Sequence, residues 1–316
     1  MEKIEQLRAL LRSYGSCVVA YSGGVDSVFL ARVAHEVLGE KSLAVIADSA
    51  SLPRRELAEA LQLGERFHFP VRVVKTAEFD NPSYLANPLN RCYFCKHELF
   101  DELTPIARDE HFAVICYGEN ASDIGDFRPG AKAAAEFQVR APMKEVGLTK
   151  AEIRELSAQM GLPTADKPQM ACLSSRIPTG EVVSPEKLRM IEEAEYVLRD
   201  LGFHDVRVRH HELGSQKGTK TFNIQHSTPN AEVRSAELGI RNEDPAAAAE
   251  ASSALHLARI EVGAAELPQL LDGDLSAQVA AALKQIGYTH VTLDLQGYRR
   301  GGADVRVAAA TGLAAK

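Results

Sequence analysis

Several features are missing from this chain, and each absence narrows its function. No window holds the roughly 18 uninterrupted apolar residues that a membrane-spanning helix needs. The opening MEKIEQLRALLRS spreads its charges through an amphipathic helical pattern, so no signal peptide is expected there. Positive charge is in deficit: 36 Lys and Arg against 43 Asp and Glu leave a net charge of −7. That balance disfavours a broadly basic nucleic-acid surface, although a local basic groove remains compatible with it. Cysteine is scarce and odd in number, with Cys17, Cys92, Cys95, Cys116 and Cys172. Reduced thiols in a cytoplasmic protein are the natural expectation, some of them open to catalysis or metal binding. Long repeats are absent too; only GAKAA and PAAAAEASSA are locally biased. What is present is ordinary globular composition, 45% hydrophobic and 25% charged over 316 residues, enough for one large or two modest domains.

The first half alternates short apolar runs with helical patterns. SCVVAYS (16–22), SLAVIAD (42–48), VRVVKT (71–76) and HFAVICYG (111–118) read as strands, the first of them buried. Between them lie VDSVFLARVAHEVL (25–38), a helix from about Pro53 to Glu65, and another near 96–109. This alternation indicates βαβ units, so the expected class is α/β with a doubly wound parallel sheet. Such sheets bind ligands beyond the carboxyl ends of their strands. Ser22 to Ser27, Asp48, and Glu119 to Asp123 fall there.

Thr149 and Glu152 form a capping-box pattern that opens a helix ending near Gly161 and Pro163. ADKPQMACLSSRIPTG (165–180) is aperiodic and rich in turn formers, and reads as a long ordered loop at a domain boundary. The expected domains are therefore 1–168 and 169–316. Ser184 and Pro185 signal the start of a helix over 185–202. DVRVRHH (205–211), LARIEVG (257–263) and HVTLDLQ (290–296) follow as strands, with LSAQVAAALKQIG (275–287) as a helix. The second half is thus expected to be a small α+β unit, with residues 212–256 inserted into it.

SGGVDS (22–27) sits directly after a buried strand and opens a helix. Glycines in that position let backbone amides wrap a polyphosphate at the positive end of the helix. Ser22 and Ser27 offer hydroxyls, Gly23 and Gly24 offer close approach, and Asp26 is placed to hold a magnesium ion. The pattern is neither the GxxxxGK[ST] of ordinary P-loops nor the GxGxxG of dinucleotide folds. The bland reading is a tight turn built from small residues. The string resembles the PP-loop of ATP pyrophosphatases, a group that includes NAD and GMP synthetases and tRNA-thiolating enzymes. That resemblance implies cleavage of ATP to AMP and pyrophosphate through an adenylated intermediate, with Asp48 as a further ATP-binding candidate.

Cys92 and Cys95 form a C-x-x-C on a loop running into a helix, and Cys172 lies in the boundary loop. Three thiols of this kind can ligate one iron–sulfur centre with a fourth position open. A redox or persulfide dithiol, a zinc site and simple packing stay open, although no second C-x-x-C or histidine pair accompanies them. Cys17 and Cys116 lie inside apolar strands and read as small buried hydrophobes.

Beyond the loop, the chain resembles the LarE family of ATP-dependent sulfur transferases. The match runs through YGENASDIGDFRPG (117–130), VRAPMKEVGLTKAEIREL (139–156) and, most specifically, LPTADKPQMACLSSRIPTGE (162–181). It continues through SPEKLRMIEEAE (184–195), DVRVRHH and LARIEV (257–262). The resemblance implies adenylation of the carboxylates of pyridinium-3,5-biscarboxylic acid mononucleotide and their conversion to thiocarboxylates, toward the nickel-pincer cofactor of lactate racemase. In single-cysteine members the residue matching Cys172 surrenders its own sulfur. In three-cysteine members the residues matching Cys92, Cys95 and Cys172 hold a 4Fe–4S cluster, and this chain has all three. ATP, Mg2+ and that cluster are the implied cofactors. The implied partners are the nucleotide, sulfide or another sulfur donor, and further copies of the chain in a homo-oligomer.

Arg176, Arg207 and Arg209 offer guanidinium forks suited to the nucleotide phosphate. Arg207 and Arg209 alternate with Val206 and Val208, so both point to one face of their strand. Ser175 is a candidate phosphate donor and Glu195 a candidate acceptor. His210 and His211 are adjacent, face opposite ways, and are not expected to share a site. Two departures stand out: the insertion beside the arginine strand, and GYRRGGAD (297–304), which follows the family's Gly-Tyr-Arg-Ser-Gly pattern only in part. The alternative function is cluster-dependent tRNA thiolation by a PP-loop enzyme, against which the acidic balance speaks.

Overall fold

A computed structural model describes residues 2–125, 128–168, 171–213 and 255–298. Its order begins α1 (Lys3–Tyr14), β1 (Cys17–Tyr21), α2 (Val25–Leu38), β2 (Ser42–Asp48), α3 (Arg54–Arg66), β3 (Val71–Lys75), α4 (Pro82–Leu85) and α5 (Arg91–Asp109). It continues β4 (Val114–Tyr117), α6 (Pro129–Glu136), α7 (Pro142–Glu145), α8 (Lys150–Gln159), α9 (Pro185–Asp200) and β5 (Val206–Leu213). β6 (Leu255–Val262), α10 (Leu267–Leu270), α11 (Gly273–Ile286) and β7 (His290–Leu293) complete it.

The first four strands form one parallel sheet in the order β3-β2-β1-β4. Every residue of the central strand β1 is buried, because both faces are covered. Cys17, Val19 and Tyr21 join Val28, Phe29 and Ile153 on one side, while Val18 and Ala20 join Phe100, Leu103 and Ala133 on the other. The period-two alternation thus feeds two separate apolar layers, a mixed α/β arrangement of Rossmann-like kind. β3 is an edge strand with a half-buried and exposed pattern, so only β-branched composition marked it.

A second, three-stranded sheet has the order β5-β6-β7, with β5 antiparallel and β7 parallel to β6. Val206, Val208, Ala258 and Ile260 pack there against Leu198 of α9 and Val279 and Leu283 of α11. The pairing reaches Leu213 opposite Leu255. Residues 212, 213, 255 and 256 are therefore strand rather than insertion, and 214–254 lie outside the described residues. The last six residues of GYRRGGAD lie outside them as well.

Local signals account for the helix ends. Thr149 and Glu152 make the reciprocal capping box, and the Ser184 side chain accepts from the Lys187 amide. Two boundaries differ from the sequence reading. α5 begins at Arg91, so Cys92 and Cys95 stand within its first five residues and not on a preceding loop. Tyr93 N donates to Asn90 O at 2.8 Å, which starts the helical bonding early. The boundary segment is also more ordered than its composition suggests, with short 3₁₀ turns at Pro163–Asp166 and Leu173–Arg176. α6 went unread because its alanines carry little periodicity. Among the described residues, no helix is long and apolar enough to cross a membrane.

Candidate functional site

The turn between β1 and α2 is shaped by what cannot fit there. Gly23 has φ +70, and a Cβ on it would sit 2.8 Å from the Ala60 Cβ. Gly118, at the end of β4, backs the same turn: a Cβ there would meet the Asp26 Cβ at 3.1 Å and the Ser27 amide at 3.2 Å. The serines brace the loop from within. Ser27 Oγ donates to Gly24 O at 3.1 Å, accepts from the Ser22 amide at 3.2 Å, and lies 3.1 Å from Ser22 Oγ. Asp26, in the first turn of α2, accepts from Lys150 Nζ at 2.6 Å and from Asn120 Nδ2 at 3.4 Å. Burial pushes its carboxyl above the ordinary aspartate value, against the pull of Lys150.

Ser22, Gly24, Asp26 and Ser27 line a cavity with about 920 Å³ of open space, part of it continuous with solvent. Cys92, Lys96, Glu119 and Arg128 line the same space. An amide-rich turn at a helix N-terminus, two cations and a thiol thus face one volume. That combination suits a polyphosphate next to a soft nucleophile. Asp48 is not part of this lining; its carboxylate pairs with Arg54.

The three expected cysteines share one neighbourhood. Cys92 and Cys172 are exposed and Cys95 is half-buried. Desolvation and the charge of Cys172 push the Cys92 thiol up, and the same causes push Cys95 up to about 12. Desolvation pushes the Lys96 amine down. Arg91 lies between these groups: one terminal nitrogen donates to the Asn87 side chain and, at 2.9 Å, to Ser174 O, while the other approaches Cys172 Sγ at 3.8 Å. Below Cys172, Ser174 Oγ sits 2.9 Å from Ser51 Oγ and 2.8 Å from the Tyr84 hydroxyl, closing a ring of three buried hydroxyls. Leu173 N donates to Ser51 O at 2.9 Å. The chain around Cys172 is thereby pinned to the β2–α3 connection and to α4.

The three thiols lie near enough for Cys92 and Cys95 to feel the charge of Cys172. The buried Glu78 Oε2, whose charge Cys95 also feels, has no hydrogen-bond partner among the described residues. The spacing is not that of a closed metal site: among the described residues, no three His, Cys, Asp or Glu side chains are grouped to hold a metal ion. Cys17 and Cys116 are fully buried in the sheet core.

A separate constellation gathers the expected phosphate residues. Arg176 is 0% exposed and Glu195 4%. They are joined twice, at 2.8 and 3.0 Å, and Glu195 also accepts from Val208 N at 3.1 Å. The remaining Arg176 nitrogen donates to the carbonyls of Ala171 and Cys172, at 2.6 and 3.0 Å, and to Ser175 Oγ at 3.1 Å. Arg209 pairs twice with buried Glu261, at 3.0 and 2.9 Å, and donates to Ser175 O at 2.9 Å. Arg207 lies 4.9 Å from the Tyr298 ring centre, and burial together with the nearby Arg176 charge lowers its pKa. These arginines are therefore interior groups, and Arg176 already spends its donors on the Cys172 loop. On the other face of β5, His210 meets His256 at 3.1 Å and Tyr288 at 3.2 Å rather than His211.

No family model matches the chain. It is 36% identical to an uncharacterised Synechocystis protein, slr1717, over 95% of this chain and 96% of that one. It is 28% identical to the pyridinium-3,5-bisthiocarboxylic acid mononucleotide synthase of Lactiplantibacillus plantarum, over 93% of this chain and 91% of that enzyme. That likeness, along nearly the whole of both chains, supports the LarE family. A more distant likeness is to a glutamine-hydrolysing GMP synthase component of Methanopyrus kandleri, 27% identical over 63% of this chain and 67% of that one.

The sequence pattern did not point to Arg91, Lys96, Gly118, Arg128 or Lys150. Lys96 stands one helical turn after Cys92, a spacing that counts only once α5 begins at Arg91. Lys150 carried no signal: it reaches Asp26 only because α8 packs against α2.

Proposed function

We propose that this protein is an ATP-dependent sulfur transferase of nickel-pincer cofactor synthesis, converting the carboxylates of pyridinium-3,5-biscarboxylic acid mononucleotide to thiocarboxylates. The observation that carries this reading is the single cavity lined by both the phosphate loop and Cys92. Residues 1–168 would cleave ATP, and 169–316 would hold the nucleotide substrate in a cytoplasmic homo-oligomer.

ATP places its phosphates on the amides of Gly23 and Gly24 and the hydroxyls of Ser22 and Ser27, against the positive end of α2. Asp26 exchanges Lys150 for magnesium, and Asp48 reaches the nucleoside end. A substrate carboxylate oxygen attacks the α-phosphorus and pyrophosphate leaves. A sulfur nucleophile then adds to the acyl carbon, and AMP departs with the former carboxylate oxygen. Two passes give the dithiocarboxylic product. AMP is the better leaving group, and holding the sulfur beside the acyl carbon supplies the local concentration a bimolecular attack lacks. Cys92, Cys95 and Cys172 are the residues that would hold a 4Fe–4S cluster, which when bound supplies a transferable sulfide derived from sulfide or another donor. Ser175, Arg176, Arg207 and Arg209 would meet the substrate phosphate, with Glu195 holding Arg176 in place. The Arg176 charge beside Arg207 makes an anion welcome there.

The test combines ATP, magnesium, the biscarboxylated mononucleotide and sulfide with anaerobically reconstituted protein. Substrate-dependent pyrophosphate release and thiocarboxylate product by mass are the expected result. No pyrophosphate with this nucleotide would sink the assignment. About four irons per chain in wild type, lost or labile in Cys172→Ala, would support the cluster. An iron-free protein would return Cys172 to a sacrificial or persulfide role.

A further inference from the structure

We propose that Arg91 is a catalytic residue of the sulfur-transfer half-reaction, its guanidinium supplying positive charge where the sulfide delivered beside Cys172 meets the anionic acyl adenylate. The inference rests on the reading of the Cys172 neighbourhood as the sulfur-delivering site, and goes beyond it by assigning the group that faces it.

Arg91 is only 9% exposed and stands at the first position of α5, where the helix end is itself positive. A buried cation in that place is doubly disfavoured unless an anion accompanies it. Among the described residues no carboxylate pairs with Arg91; its hydrogen bonds run to an amide oxygen, a backbone carbonyl and a thiol. Of those contacts only the Cys172 thiol belongs to the proposed chemistry, and the anion that would match the guanidinium is the substrate brought to it.

The guanidinium is also aimed. Asn87, 1% exposed and at φ 50, accepts from Arg91 and donates through Nδ2 to Pro178 O at 2.8 Å and Ile177 O at 3.3 Å. Gly180 N donates back to Asn87 O at 2.9 Å. The segment that follows Cys172 therefore grips the residue that orients Arg91, so the 3.8 Å approach to Sγ is set by both sides of the contact. When the delivered sulfide forms its bond to the acyl carbon, the C–O bond to AMP breaks, its electron pair leaves with the phosphate, and the product is the free thiocarboxylate. Arg91 neither gains nor loses a proton; it lowers the repulsion between an electron-rich sulfur and an anionic substrate.

The experiment uses the full-length protein with Arg91→Met and Arg91→Lys. In a single turnover the burst of pyrophosphate should still form, while the thiocarboxylate formed from that adenylate should appear roughly 100-fold more slowly in Arg91→Met, the scale of one lost electrostatic contact. Arg91→Lys keeps the charge but not the fork, and should lose about tenfold. A substrate-free readout compares alkylation of Cys172 by iodoacetate and iodoacetamide. Their rate ratio reports positive charge at the sulfur, and should fall about fivefold in Arg91→Met and little in Arg91→Lys. An unchanged ratio overturns the proposal, as does a wild-type rate of thiocarboxylate formation in either variant. Absence of pyrophosphate release in the wild type would instead sink the proposed function, leaving the alkylation ratio to decide Arg91.

Discussion

The loop cavity and the arginine constellation handle charge in opposite ways. Around the phosphate loop the ion pairs are partly hydrated: Lys150 meets Asp26 with side chains 29% and 23% exposed, and Lys144 meets Glu119 with 38% and 5%. In the constellation Arg176 grips Glu195 through two nitrogens, with side chains 0% and 5% exposed, and Arg209 grips Glu261 at 6% and 3%. A hydrated single contact is worth little and exchanges readily for phosphate or magnesium; a desolvated fork does not. A ligand at the loop would thus displace a cation, whereas a phosphate at the constellation would be added to ion pairs that stay intact.

The largest expected contrast comes from Asp26→Asn. It should cut pyrophosphate release at least about 100-fold through loss of a magnesium ligand, while the unfolding free energy moves by under about 1 kcal/mol. Steady-state kinetics beside urea unfolding would check both halves, and a large stability loss would break the contrast. Glu195→Ala should do the reverse in character. It strands Arg176 without a counter-charge and should cost roughly 3–5 kcal/mol of stability. A change under about 1 kcal/mol, typical of surface pairs, would mean the constellation is no scaffold.

Acid sharpens the contrast further. Burial first, then the charges of His256, Lys187 and His211, push His210 down to about 3. The unfolded chain binds this proton near the ordinary histidine value of about 6.5 and the folded chain does not. The second sheet should therefore be at full stability above that value and lose it as pH falls toward 3, by about 1.4 kcal/mol per pH unit. The wild type minus His210→Phe difference across that window isolates the effect, and a flat difference would contradict it. The smallest expected effect is that of Lys150→Met. Freed of its competitor, Asp26 should reach half-maximal pyrophosphate release at about threefold less magnesium, with stability nearly unchanged. A higher magnesium requirement would instead make Lys150 a phosphate contact.

Much of the fold was legible because its signals are local. The parallel strands announced themselves as apolar runs, the turn at Ser22–Ser27 by its glycines, and α8 and α9 by their caps. What escaped reading depends on partners distant in sequence. Cys92 and Cys95 were assigned to a loop because nothing in NRCYFCK shows a helix starting at Arg91. Arg207 and Arg209 were legible as a one-sided pair, but burial on an edge strand requires Glu261 from β6 and Ser175 from the Cys172 loop. Asp48 was legible as the last residue of β2, but its pairing with Arg54 across six residues was not.

By itself, then, the sequence determined what is written in short-range pattern: a parallel α/β sheet, a glycine-containing strand-to-helix turn at its carboxyl edge, three thiols outside the apolar runs, and the strands of a second, smaller sheet. Periodicity, glycine placement and capping act within a few residues, so a linear reading suffices for them. Only the tertiary structure decided that Cys92 and Lys96 face the phosphate loop across one cavity, and that Arg91 leans on Cys172. It alone turned Arg176 inward onto Glu195. Those outcomes depend on which charges are desolvated together, and desolvation is a property of packed neighbours that no stretch of chain carries alone.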